Sequence, residues 1–149
     1  MHFGVGLKAL AILSVAFGAL LPASYAAETE SDVSSARTAA GSWLSKLDAN
    51  QFSECWELLS SDSRKGISRW RWNFQCRMGR ITLGQARSRK EISAERSTKS
   101  PGGNPGEFVL LSYETASEKR GLITEHVAVQ KDHDNHWRVC GYGIGQEEK

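Results

Sequence analysis

The chain has 149 residues, of which 40% are hydrophobic and 24% are charged, and its formal net charge is +2. This composition excludes a collagen-like chain and a fully disordered one, and a charge this small is no evidence for a nucleic-acid-binding protein. At this length a single domain is expected.

The first 26 residues have the three-part pattern of a secretory signal peptide. Lys8 precedes an apolar run at residues 9–21, and the segment ends in Ser24-Tyr25-Ala26. This pattern predicts cleavage between Ala26 and Ala27. The apolar run is shorter than the roughly 20 residues needed to span a bilayer. We therefore expect an exported protein, periplasmic or secreted, without a stable membrane anchor after cleavage.

The next part of the chain has helical periodicity. Residues 27–32 are polar and are predicted to be a flexible lead-in, and residues 33–50 and 53–59 are predicted helices. The apolar residues of the first helix recur at spacings of three and four, at Val33, Ala36, Ala40, Trp43, Leu44 and Leu47. A third helix is predicted over residues 64–79. Its apolar stripe holds Ile67, Trp70, Phe74 and Met78, with Trp72 and Cys76 beside it.

After Gly79 the period changes from helical to alternating. Strands are predicted over residues 81–99, with an interruption near Gly84, and over 108–115, 122–131 and 137–144. The Pro/Gly-rich segment 101–106 is a predicted loop, and residues 117–121 and 132–135 are predicted turns. The expected fold is α+β, with N-terminal helices on one face of a curved four-stranded antiparallel sheet. The domain is expected to span residues 33–145, followed by a polar tail at 146–149.

Several short motifs resemble a known family. In chain order these motifs are Trp43-Leu-Ser-Lys-Leu-Asp48, Phe52-Ser-Glu-Cys-Trp56, Trp72, Arg80-Ile-Thr-Leu-Gly84, Arg89, Pro101-Gly102, Gly106-Glu107-Phe108, Tyr113-Glu114-Thr115, Glu125 and Trp137-Arg138-Val139-Cys140-Gly141-Tyr142. Together they resemble the bacterial secreted family known as domain of unknown function number 4019. Such domains are similar in outline to the cystatin-like cone of the nuclear-transport-factor-2 superfamily. The resemblance implies a fold and an export route, and it implies no activity.

Three cysteines permit one disulfide and one leftover thiol. Cys55 and Cys76 both fall on core-facing positions of predicted helices, which favours a bridge between them in an oxidising compartment. The alternative is that all three, Cys140 included, are buried free thiols. The spacing fits neither a redox pair nor a zinc knuckle.

Charge is strongly segregated along the chain. Residues 64–99 carry a net charge of +9, whereas residues 27–63 carry −5 and residues 100–149 carry −3. One interpretation is an anion-binding surface for nucleic acid, lipid headgroups or an acidic partner. The other is that the basic strand pairs with Glu114, Glu118 and Glu125 across the sheet. Because the protein is expected to be exported, we expect no nucleic-acid partner.

The sequence offers little evidence for a metal or cofactor site. The segment Asp132-His133-Asp134-Asn135-His136 holds possible nitrogen and oxygen ligands, but Asp and Asn are also ordinary turn residues. It is interpreted as a turn. There is no phosphate-binding glycine loop followed by a helix, and we expect neither a metal nor a cofactor.

Five residues are candidates for a binding site. Trp72 and Tyr142 are candidates for lining the open end of a cone, although core positions are the simpler interpretation of each. Arg80, Arg89 and Glu125 are expected to form a cross-sheet ion-pair cluster, either structural or contacting an anionic ligand.

The favoured function is a non-catalytic module of the bacterial envelope that binds an unknown small ligand or an envelope protein. One alternative is a small enzyme that uses a cone pocket for acid/base chemistry. For that role Glu125 and His126 are candidates, but as strand neighbours they point to opposite faces. The other alternative is a protein that binds acidic partners through the basic segment 64–99.

Overall fold

In a computed structural model that describes residues 23–145, the periodic segments form four helices followed by four strands. The elements are α1 (Ala23–Asp48), α2 (Phe52–Glu57), α3 (Ser61–Gly66), α4 (Arg69–Leu83), β1 (Ala86–Lys99), β2 (Pro105–Ser117), β3 (Gly121–Lys131) and β4 (Trp137–Gly145). No helix within residues 23–145 is long and apolar enough to cross a membrane. Most of the predicted signal peptide and all of the predicted tail at 146–149 lie outside the described residues.

The four strands form one open antiparallel sheet in the order β1-β2-β3-β4. Each strand pairs with the next one along the chain, so short turns suffice as links: Ser117 pairs with Gly121, and Lys131 pairs with Trp137. Gly121 and Asn135 adopt the positive φ angles that such tight turns need. The predicted α+β class is confirmed.

The core lies between the sheet and α1. The buried stripe of α1 is the one that periodicity predicts, and its members are Val33, Ala36, Ala40, Trp43, Leu44 and Leu47. It packs against the inward-facing side chains of β2, β3 and β4, among them Leu111, Val127 and Val139. Because side chains alternate along a strand, these inward-facing residues share one face of the sheet.

Helix α1 starts earlier than predicted. It begins at Ala23 rather than at residue 33, so the predicted flexible lead-in at 27–32 is helical. Asp32 accepts a hydrogen bond from Trp137 Nε1 at 3.3 Å, and it lies 3.5 Å from Lys131 Nζ and 3.3 Å from Arg96 Nη2. Polar contacts with the sheet hold this first part of the helix, and hydrophobic periodicity cannot reveal them.

The predicted third helix is two helices. Ile67 is extended between α3 and α4, with φ −141° and ψ 128°. Ser60 caps α3 by accepting from Ser63 N, and Ser68 caps α4 by accepting from Arg71 N. Each capping serine satisfies a backbone N–H that a helix start leaves unpaired, so the break costs little.

The predicted apolar stripe of that segment is wrong for α4. Trp70, Phe74 and Met78 are exposed, and the opposite face, with Trp72 and Cys76, packs on the core. Trp72 Nε1 donates to the carbonyl of Phe52 at 2.9 Å. This hydrogen bond and ring contact with Trp43, at 5.9 Å between centroids, orient the helix.

The first strand also begins later than predicted. Helix α4 continues to Leu83, and the expected interruption at Gly84 is the boundary between helix and strand. Gly84 has φ +70° and donates its N–H to the carbonyl of Arg80 at 2.9 Å. Few L side chains adopt this conformation, which suits glycine as a helix stop.

The three cysteines are free thiols in the structure, so the bridge predicted between Cys55 and Cys76 is not formed in it. Cys55 is fully buried, and its Sγ donates to the Trp43 carbonyl at 3.7 Å. Burial raises the pKa of Cys55 to about 12. It also raises the pKa values of Cys76 and Cys140 to about 11 each. All three therefore carry little thiolate at neutral pH.

Candidate functional site

A cavity of about 180 Å³ lies between the C-terminal end of α1, helix α4 and strands β2–β4. Its apolar lining residues are Leu47, Trp72, Leu83, Ile123, Tyr142 and Ile144. Its polar lining residues include Asp48, Gln75, Arg80, Gln85, Thr115 and Glu125. The wall is thus mainly apolar with a polar end, which is the usual composition of a small-molecule site.

Glu125 is the buried centre of the polar end, with 3% of its surface exposed. Its carboxylate accepts hydrogen bonds from Arg89 Nε at 2.6 Å and Nη2 at 3.3 Å, from Thr115 Oγ1 at 2.5 Å and from Tyr142 OH at 2.6 Å. Four hydrogen bonds from three side chains satisfy both carboxylate oxygens.

These contacts keep Glu125 ionised. Burial alone would raise its pKa, but the hydrogen bonds from Arg89, Thr115 and Tyr142 and the charge of Arg89 outweigh burial, so the pKa is lowered. Tyr142 shifts the opposite way. Burial and the adjacent Glu125 carboxylate raise the pKa of Tyr142, which keeps its hydroxyl protonated as a donor.

Arg89 joins three elements. Reaching from β1, it binds Glu125 of β3 and forms a two-pronged pair with Asp48 at the end of α1, with Nη1–Oδ2 at 2.8 Å and Nη2–Oδ1 at 3.1 Å. Burial by itself would lower the pKa of Arg89, but its hydrogen bonds to both carboxylates raise it above the ordinary value. The guanidinium fork fits two carboxylates at once, which lysine would not do.

The guanidinium group of Arg80 has one N–H that makes no hydrogen bond in the described part of the chain. From α4 its Nη1 donates to Gly84 O and its Nη2 to Leu47 O, both at 2.7 Å, and Nη2 lies 3.8 Å from Asp48. Its Nε is buried and has no hydrogen-bond partner within residues 23–145. A buried donor without an acceptor is costly, so a shift of the Arg80 side chain that brings this atom to an acceptor in the cavity would be favourable.

The structure brings all five predicted site residues to this cavity. Trp72, Arg80, Glu125 and Tyr142 line it, and Arg89 binds two of its lining carboxylates. The predicted ion-pair cluster forms between Arg89 and Glu125, but the carboxylate nearest Arg80 is Asp48.

Sequence reasoning missed two members of the site. Asp48 looked like the exit of the first helix, and Thr115 looked like the end of a strand. Thr115 lies on the inward face of β2 and pairs with Ile123, which is two residues before Glu125 on β3. Alternation along the two strands therefore places Thr115 on the same face as Glu125, and this was the signal available in the sequence. No pattern in the sequence links Asp48 to Arg89.

The geometry does not favour acid/base chemistry at this site. A general acid or base needs a pKa near the working pH, whereas the pKa of Glu125 is lowered. His126 points to the other face of the sheet, where its Nδ1 lies 3.0 Å from Ser112 Oγ in a hollow of about 540 Å³. Within residues 23–145 no carboxylate is hydrogen-bonded to that histidine to complete a Ser-His-Asp arrangement.

The turn at 132–136 uses its carboxylates for structural contacts. Asp132 accepts from Ser61 N at 2.9 Å and Ser61 Oγ at 2.8 Å. Asp134 forms a two-pronged pair with Arg138 at 2.6 and 2.7 Å. The hydrogen bonds from Arg138 hold the pKa of Asp134 well below its usual range. Over residues 23–145, no group of three His, Cys, Asp or Glu side chains is placed to hold a metal ion.

The basic segment is partly paired. Of its eleven cations, six lie within 4 Å of a carboxylate, namely Arg64, Lys65, Arg69, Arg80, Arg89 and Arg96. On β1, Arg89 faces inward to Glu125, and Arg96 pairs with Asp32 and Glu107. Of the three glutamates expected to pair with this segment, Glu125 alone does so within 4 Å in the described part. On β1, Arg89 and Arg96 are therefore paired, whereas Arg87, Lys90 and Lys99 have no carboxylate within 4 Å in the described part of the chain.

Comparison with known proteins gives one match. The sequence model of the family described as a protein of unknown function (DUF4019) matches residues 39–142. This span holds α2–α4, β1–β3 and every residue that lines or supports the cavity except Ile144. No curated protein and no solved structure matches the chain. Because the family match covers well over half of the sequence, the chain belongs to the DUF4019 family of proteins of unknown function.

Proposed function

We propose that this protein is an exported, non-catalytic module of the bacterial envelope that binds a small molecule in the cavity beside Glu125, Arg80 and Tyr142. The observation that carries the proposal is a mainly apolar cavity whose polar end combines the hydrogen-bonded Glu125 cluster with Arg80, whose buried Nε has no partner in the described part of the chain. The signal-peptide pattern at residues 1–26 supports export. A helical layer over an antiparallel sheet is in keeping with a cystatin-like cone.

The volume limits the size of the ligand. An apolar cavity of roughly 150 Å³ accommodates a benzene-sized molecule. The cavity here, at about 180 Å³, is only slightly larger. The part of a ligand that enters the cavity is therefore a single ring or a short aliphatic chain, while the partly open mouth leaves the rest of the ligand in solvent.

The charges favour an uncharged ligand. Arg80 and Arg89 balance Asp48 and Glu125, so a net charge brought into the cavity would have no counter-ion. The spare donor on Arg80 selects a ligand with one hydrogen-bond acceptor, such as a carbonyl or ether oxygen.

The rigidity of the polar end supports binding rather than reaction. Every oxygen of the Glu125 carboxylate is occupied, and the Tyr142 proton is held by that carboxylate. The carboxylate oxygens are already occupied as acceptors, and the only proton of the Tyr142 hydroxyl is already donated, so neither group is free to transfer a proton to or from a substrate. The cluster fixes the shape of the cavity, as preorganised binding sites require.

The test is thermal unfolding of the protein with a panel of small ketones, esters, phenols and short-chain carboxylic acids. A ligand at 100 times its dissociation constant stabilises the folded state by about 2.7 kcal/mol. The matched variants are Gly79→Met and Gly41→Met. Gly79 lines the cavity with open space where a side chain would begin, whereas Gly41 is exposed on α1 with equally open surroundings.

We expect an uncharged carbonyl or ether compound to raise the melting temperature of the wild type and of Gly41→Met, but not of Gly79→Met. A rise that is equal in both variants would place binding outside the cavity. Stabilisation by charged acids alone would contradict the inferred ligand class.

A further inference from the structure

The outer face of α4 carries an exposed apolar ridge. Trp70, Phe74, Met78 and Ile81 follow one another at helical spacing, and Trp70 and Ile81 are 76% and 62% exposed. Large apolar side chains in a continuous exposed row mark an interaction surface more often than isolated ones do.

The aromatic part of the ridge is already ordered. The rings of Trp70 and Phe74 stack with centroids 5.9 Å apart and an interplanar angle of 13°. The stacked pair makes one continuous apolar surface along the helix.

The ridge is bordered by cations. Helix α4 contains four arginines and no carboxylate. Arg71 and Arg77 have no carboxylate within 4 Å in the described part of the chain, and helical spacing places both beside Phe74. Lys119 Nζ donates to the carbonyl of Ile81 at 2.9 Å, which adds a third cation at the end of the ridge.

These features indicate which kind of partner binds the ridge. A second copy of α4 would place arginines against arginines with no carboxylate on either helix. Single-stranded nucleic acid needs separate aromatic platforms in a groove, whereas here the rings stack on each other, and Met78 and Ile81 offer no stacking surface. An apolar ridge with Trp and Phe, bordered by Arg, is the composition of a helix that lies in a membrane interface.

We propose that α4 docks on the surface of an anionic lipid bilayer. Trp70, Phe74, Met78 and Ile81 enter the boundary between headgroups and acyl chains, and Arg71 and Arg77 contact lipid phosphates. The helix is about 22 Å long and lies along the surface without crossing it. This surface is separate from the cavity, whose lining uses the opposite face of α4.

The experiment uses the full chain with vesicles of phosphatidylcholine, with or without phosphatidylglycerol. Lipids brominated in the acyl chain quench nearby tryptophan, and the difference between wild type and Trp70→Phe isolates the Trp70 signal. This local readout is independent of any contact that the apolar N-terminal segment makes with the vesicle. We expect quenching of Trp70 on anionic vesicles and little on neutral ones.

Matched variants test the ridge and its cations. Phe74→Ser should weaken binding, read from the quenching of Trp70, about tenfold, because a large apolar side chain leaves the interface. Arg77→Gln should weaken it about fivefold. Ile92→Ser, at a residue as exposed as Phe74 but on β1, and Lys99→Gln at the far end of β1 should change it less than twofold. All four should melt near the wild-type temperature.

An unquenched Trp70 on anionic vesicles would overturn the proposal, as would equal effects of Phe74→Ser and Ile92→Ser. Binding of single-stranded DNA without vesicle quenching would assign the cations to nucleic acid instead. A dimer that Phe74→Ser dissociates, again without vesicle quenching, would assign the ridge to a second copy.

Discussion

Glu125 is the residue on which the polar contacts of the cavity converge. Replacing it with glutamine leaves the shape almost unchanged but removes the charge that faces Arg89. We expect Glu125→Gln to lower the free energy of unfolding by roughly 2–4 kcal/mol, because breaking a buried ion pair leaves its partner uncompensated. Urea unfolding measures this difference.

Glu114→Gln is the matched control, because Glu114 is an exposed carboxylate on β2 with no ion pair in the described part of the chain. Its effect should stay below about 0.5 kcal/mol. Equal losses in the two variants would mean that the Glu125 cluster contributes nothing beyond a surface charge.

Glu125 also determines how the free energy of unfolding changes at acidic pH. The pKa of Glu125 is lowered in the folded protein below its ordinary value of 4.5, so the unfolded chain binds more protons. The stabilisation is complete above pH 4.5 and is lost as the pH falls through the lower folded-state value. The free energy of unfolding of Glu125→Gln should therefore fall less steeply below pH 4.5 than that of the wild type.

At the scale of elements, the junction between α4 and β1 depends on one glycine. Gly84 has φ +70° and ψ −156°, a region that is essentially restricted to glycine. A Cβ there would lie 2.6 Å from Glu118 Oε2 and 2.8 Å from Glu118 Cβ. We expect Gly84→Ala to destabilise the protein by about 2 kcal/mol or more in urea unfolding.

The contrasting variant is Gly41→Ala in the middle of α1, where nothing lies within 4 Å of the added methyl group. It should stabilise the protein by about 0.5–1 kcal/mol through helix propensity. If both alanine variants moved stability in the same direction, backbone strain at Gly84 would not be the cause.

Helix α4 also shows where sequence patterns stop being informative. It has apolar residues on two faces, and period 3.6 fits either stripe. The face that packs is decided by partners distant in the chain, namely Trp43 and the Phe52 carbonyl. In α1 one face alone is apolar, and there the predicted and observed buried residues agree.

At the scale of the whole molecule, the class of fold was predictable because its links are local. Each strand pairs with its neighbour in sequence, so turn signals and alternation define the sheet. The site was predictable in part: Arg89 and Glu125 lie on strands whose register brings them together. Asp48 was not, because it meets Arg89 through the packing of α1 on the sheet.

The thiols allow a test of the whole fold. Burial raises the pKa of Cys55 to about 12 and of Cys76 and Cys140 to about 11. In the absence of reductant, a thiol reagent at pH 8 should react slowly with the folded protein and count three thiols after unfolding in urea. A count of one reactive thiol per unfolded chain would instead show that a disulfide such as Cys55–Cys76 forms in solution.

The contact between Asp32 of α1 and Trp137 of β4 spans 105 positions of the chain. The rings of Trp43 and Tyr142, 5.2 Å apart, likewise join the two ends of the domain. A ribosome produces α1 first and β4 last. The hairpins can form as they emerge, but the apolar stripe of α1 has no complete sheet to cover it until β4 has been made. A growing chain thus stays open until β4 arrives, which is consistent with the export that we propose.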